Sequence, residues 1–178
     1  MAVSLPLFLC GYKCAGVADG EESLRQDLIG SMACDVLFGE SSPLYNRLYA
    51  KGLINGEFGG GYNLLPGISF IAVGGESKSP RKVHLAIVEE AERIAREGVD
   101  EALWQQVQKS TYGSLLRGLN SFEGTAVSLT EGAFHSYDYF RFPEIFETID
   151  REDLRRFLAA FVTPDRAAIS IIHPKSES

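Results

Sequence analysis

At 178 residues, with hydrophobic residues at 45% and charged ones at 23%, the chain has the composition of one globular domain able to bury about two-thirds of its unfolded surface. Seventeen basic residues against 24 acidic ones leave a net charge of −7, which repels phosphate backbones and anionic lipid and argues against nucleic acid and membrane as partners. No apolar stretch approaches the roughly 20 residues that a membrane helix requires, and Leu5 to Cys10 lacks both the basic segment and the small-residue cleavage site of a secretion signal.

In chain order, Leu5, Leu7 and Leu9 fall on one face of a period-two segment, and Phe8, Cys10 and Tyr12 fall on the other. Apolar residues on both faces predict a central strand covered on both sides, and Gly11 within it predicts a bulge or close packing. After a loop through Gly16 and Gly20, Leu24, Leu28, Met32 and Val36 recur every four positions. They predict a helix over about 22–38 with a wide buried face, stopped by Gly39. Ser42-Pro43 supplies a cap and a first-turn proline for a short helix through about Lys51, ended by Gly52.

Residues 57–65 and 67–74 predict two strands joined at Pro66-Gly67, with the second interior to the sheet. Helices then follow from Ser79-Pro80 to Gly98, from Asp100 through Leu115, and from Ser121 with Phe122, Ala126, Leu129 and Ala133 in line. Asp150 and Asp153 form a carboxylate version of the capping box ahead of Leu154, Phe157, Leu158 and Phe161. Pro164 ends that helix, and residues 166–173 predict a closing strand. Strand, helix, helix, hairpin, four helices and strand describe an α+β fold, an antiparallel sheet covered by helices, over 1–178.

Chemistry is harder to find. Zinc hydrolysis needs clustered ligands with a carboxylate to activate the metal's water, at HxxEH or HExxH spacing on a helix. Neither occurs, and His84, His135 and His173 lie far apart. Ser41 and Ser42 fit neither GxSxG nor SxxK, so helix capping explains them. The three cysteines, Cys10, Cys14 and Cys34, are odd in number with no CxxC pair, which predicts reduced thiols and a cytoplasmic setting. Gly59-Gly60-Gly61 leads into a strand rather than a helix and lacks GK[ST], so it reads as a hairpin edge and not a phosphate cradle.

The opening strand Phe8-Leu9-Cys10-Gly11-Tyr12-Lys13, the helix ending Val36-Leu37-Phe38-Gly39, the run Ser41-Ser42-Pro43-Leu44-Tyr45-Asn46-Arg47-Leu48 and Gly52-Leu53 carry a resemblance. The chain resembles the C-terminal half of a pitrilysin/insulinase-type zinc metallopeptidase, the family that includes the mitochondrial processing peptidases. The likeness spans nearly the whole chain and is nearest to the bacterial processing-peptidase-like subgroup. It implies two homologous α+β halves closing around an unfolded peptide, with HxxEH and zinc in an N-terminal half or a paired homologous subunit. It implies no catalytic residue, metal ligand or cofactor on this chain, and makes the Met1-Ala2 start a fragment boundary.

Active members of the family have an Arg and a Tyr after the short helix that reach the substrate carbonyl. Aligned on Leu48 and Gly52-Leu53, those positions hold Tyr49 and Asn55, neither of which brings the positive charge that stabilises an oxyanion. The resemblance thus implies a non-catalytic, substrate-embracing half, with Tyr49, Asn55 and Tyr62 as wall contacts to the peptide. A rival reading is a catalytically dead interaction or scaffold subunit. A third is a stand-alone enzyme built on Cys34 or a histidine.

Overall fold

The computed structural model describes residues 5–174. The boundary expected at Met1-Ala2 lies outside the described residues. Strands β1 (Leu7–Lys13), β2 (Gly59–Leu65), β3 (Ile68–Glu76) and β4 (Ala167–Ile172) form one sheet in the order β2-β3-β1-β4, antiparallel at every step. Between them run helices α1 (Glu21–Phe38), α2 (Pro43–Ala50), α3 (Pro80–Glu97), α4 (Glu101–Gly118), α5 (Phe122–Phe134), α6 (Phe142–Glu147) and α7 (Arg151–Phe161). The class is α+β, and the caps read from sequence hold: Ser42, Asp100 and Ser121 accept from the backbone N–H groups of Tyr45, Leu103 and Gly124. Asp150 and Asp153 form the full reciprocal capping box of α7.

Alternation decides which side of the sheet is wet. Phe8, Cys10 and Tyr12 of β1, with Ile71 and Val73 of β3, turn inward beneath α1, α3 and α7 and are buried. The other face was expected to be covered too, and it is not. Leu9 is 55% exposed, and Leu65, Ile68 and Ile172 on the same face are also exposed. β1 is central by pairing, between β3 and β4, but helices lie on one side of it alone. Its register runs unbroken through Gly11, without the expected bulge.

Two further departures concern the helices. α6 was not foreseen, although Phe142, Ile145, Phe146 and Ile149 are a buried stripe at helical spacing with Pro143 in the first turn. α5 forms where expected, but its apolar line faces outward, and Gly132 is its one buried residue.

α1 sits flush against β2. A Cβ on Gly30 would overlap the ring of Tyr62, which also meets Phe157 of α7 edge-on at 5.4 Å. α2 is fixed to α3 by a buried charge. Glu90, almost wholly buried, accepts from Arg47 at 2.9 Å and from Arg93 at 2.8 and 3.1 Å. Burial by itself raises the Glu90 pKa, but the hydrogen bonds from Arg93 and Arg47 outweigh it and hold the carboxyl below its ordinary value of 4.5.

Two outcomes follow from this packing. In an exposed helix, Gly→Ala gains up to ~1 kcal/mol, but overpacking a filled contact costs ~1–3 kcal/mol, so Gly30→Ala should lower the melting temperature. A rise would contradict the close approach of α1 to Tyr62. Glu90→Ala should cost about 1–2 kcal/mol in denaturant unfolding, by removing its charge-assisted hydrogen bonds while Arg47 and Arg93 stay partly solvated and Arg93 keeps Glu97. A depressed carboxylate pKa adds stability that is present above the unfolded-state value and lost as pH falls through the folded one. The stability difference between wild type and Glu90→Gln should therefore shrink on acidification below pH 4.5.

Candidate functional site

The stretch from α2 into β2 is built from the core outward. Leu44 and Leu48 of α2 are fully buried, while Tyr45 and Tyr49 stack on its outer side at 6.0 Å and 9°. The helix stops where Gly52 N–H reaches Tyr49 O and Leu53 N–H reaches Leu48 O, with Gly52 at φ 62°, a conformation that glycine adopts without steric cost. Phe58 then plugs the chain into the core against Phe8, Phe38 and Tyr45, with ring centroids 6.1–6.4 Å away.

These anchors fix the three residues expected to touch a peptide. Tyr49 is 56% exposed. Asn55 is engaged locally: Oδ1 accepts from Glu57 N–H at 3.0 Å and Nδ2 donates to Glu76 Oε2 at 3.2 Å. Tyr62 is only 9% exposed and points into the helical layer. Its place on the inward face follows from register, since Tyr62 opposes the buried Ile71. Sequence spacing grouped the three; the pleat separates Tyr62 from the others.

The surface that sequence reasoning missed is the bare face of the sheet. At the end where β1 and β2 begin, a groove of about 540 Å³ is lined by Leu7, Leu9, Glu57, Gly59, Gly74 and Ile172. Asn55 and its partner Glu76 reach this end, because Glu76 pairs with Leu7. The apolar floor continues along Phe70, Ala72 and Ile68 of β3. The signal was present in sequence as the second apolar face of β1 and β3.

The chain's own titratable groups are poorly placed for catalysis. Cys10, Cys14 and Cys34 are buried and unbridged. Burial pushes Cys10 and Cys14 up to about 11 and Cys34 well above its ordinary value, so all three hold their protons and lack the thiolate that a nucleophile needs. His84 Nδ1 is hydrogen-bonded with the Tyr12 hydroxyl at 3.0 Å, and burial lowers its pKa. His135 sits beside Asp19 at 3.2 Å, and His173 is exposed beyond β4. Among the described residues no three His, Cys, Asp or Glu side chains gather as a metal site requires. No helix among the described residues is long and apolar enough to cross a membrane.

Comparison with known proteins agrees with this geometry. Residues 3–111 match the family described as the Peptidase M16 inactive domain. The chain is 29% identical over 161 residues to a Bacillus subtilis protein called the uncharacterized zinc protease YmfH, spanning 88% of this chain and 36% of that one. Its fold matches a structure described as an M16-like peptidase from Alicyclobacillus acidocaldarius, with TM-score 0.91 and 22% identity over 98% of this chain and 42% of the other. It also matches the inactive peptidase domain of a Bordetella parapertussis protein, with TM-score 0.79 and 16% identity over 100% of this chain and 95% of that one. The chain thus spans well under half the length of YmfH and of the Alicyclobacillus protein. With a family model matched over residues 3–111 and a sheet covered by helices on one face, it belongs to the Peptidase M16 inactive domain family.

Proposed function

We propose that this chain is the substrate-embracing half of a zinc-dependent peptidase, presenting the bare face of its sheet to an unfolded peptide inside an enclosed chamber. The observation that carries the reading is that face: exposed, apolar and ending in a groove at Glu57, near which Asn55 holds Glu76. Exposed apolar side chains gathered on one face of a folded protein point to a binding site. Zinc and its activated water belong to the other half, an N-terminal domain or a paired homologous subunit. What this chain supplies is shape, apolar contact and the carboxylates Glu57 and Glu76 at the groove.

Those carboxylates and the net charge of −7 favour peptides carrying basic residues, by attraction that salt screens. Tyr49 offers a hydroxyl and an aromatic face to the peptide; Asn55 sets the entrance of β2 and holds Glu76. A reducing, cytoplasmic compartment fits three buried thiols without a bridge. A second reading, a peptidase-like subunit that serves assembly, is favoured by the local engagement of Asn55, which leaves that residue little freedom to reach a scissile carbonyl.

The two readings part in one experiment. The purified chain alone should cleave no peptide, and adding the zinc-binding half in trans should yield hydrolysis that a chelator abolishes and that Tyr49→Ala weakens chiefly through KM. Hydrolysis by the chain alone would overturn the proposal. Stable association with the zinc-binding half that leaves that half's peptidase rate unchanged would favour the assembly reading.

A further inference from the structure

α5 is the least explained element of the fold. It is held at its C-terminal end, where Gly20 N–H donates to His135 O at 2.6 Å, His135 sits beside Asp19, and Tyr137 N–H closes back on Gly132 O at 2.9 Å. Along its length it is bare. Phe122 is 93% exposed and Phe134 75%, and Val127 and Leu129 are exposed between them. A shallow groove of about 460 Å³ runs along this face over Phe122, Ala126, Val127 and Phe134, with Glu123 and Glu131 at its rim. Positions 122, 126 and 134 are spaced by multiples of four, so at ~100° per residue they spread over about 120° of the helix, the width of an apolar stripe that faces a partner.

We infer that the outer face of α5 is the docking surface for the zinc-binding half of the peptidase; the inference rests on the reading above and adds the place of contact. Two phenylalanines this exposed call for a standing cover, which a transient peptide on the sheet does not provide. YmfH and the Alicyclobacillus protein carry more than half their length outside the matched region, enough to supply that cover. A second copy of this chain is disfavoured by charge. Both copies carry −7, and a symmetric contact through α5 sets Glu123 and Glu131 against the same residues of the other copy. The surface that fits is an apolar ridge flanked by Lys or Arg, an apolar centre with a complementary charged rim.

The test mixes the 178-residue chain with the zinc-binding half and compares wild type with F122E/F134E. Both side chains are exposed, so the variant should keep the wild-type melting temperature. Binding of the zinc-binding half should weaken at least tenfold, and amide exchange across 122–134 should slow on assembly in the wild type. The variant E123K/E131K, which leaves the apolar row intact, should also weaken binding, most at low ionic strength. Assembly with undiminished affinity in F122E/F134E and unchanged exchange in α5 would overturn the docking site while leaving the half-and-half reading intact. Self-association of the wild-type chain that F122E/F134E dissolves would assign α5 to a second copy instead. No association of any kind with the zinc-binding half would remove both proposals.

Discussion

The close approach of α1 to the sheet, with Gly30 pressed on the ring of Tyr62, governs the rest of the molecule. It brings the longest buried face in the chain, from Leu24 to Phe38, onto one side of four strands. α7 closes over the same side through Phe157 on Tyr62, and α3 through Val83 and Ile87. Sealing that side leaves the other without helices. A sheet of four antiparallel strands with one apolar face open is stable only because the covered face supplies the core. The surface proposed to meet a peptide is thus what the packing leaves over.

The same arrangement explains why the family is legible without an active site. The residues that carry the resemblance build structure. Ser42 caps α2, Leu44 and Leu48 fill the core beneath it, Arg47 pairs with the buried Glu90, and Gly52 supplies the left-handed turn. Together they fix the path from α2 into β2. Tyr49 and Asn55 stand at the two positions where the resemblance implies groups that reach a substrate carbonyl, and the side chain of Asn55 is committed to Glu57 and Glu76.

Sequence made the periodic elements plain because a buried helical stripe or a capping box is local physics. Ser42, Asp100, Ser121 and Asp150 all cap where the spacing placed them. It misjudged β1, because apolar residues on both faces report that both avoid water somewhere, without saying what covers each. Leu9 shows the consequence, and Phe122 and Phe134 on α5 show it again. α6 escaped notice because six residues are too few for a helical period to stand out against a loop. Tyr62 was grouped with Tyr49 and Asn55 by its place in the sequence, while the two-residue pleat turns its side chain inward opposite Ile71.

The bare sheet face is the surface on which the functional account stands, and site-specific photo-cross-linking tests it most directly. A photoreactive residue at Leu9, on that face, should capture an unfolded basic peptide when the chain is assembled with a catalytically blocked zinc-binding half. The same group at Leu85, exposed on α3, should capture none. Equal capture at both positions, or none at Leu9, would contradict the assignment of the open face as the peptide wall.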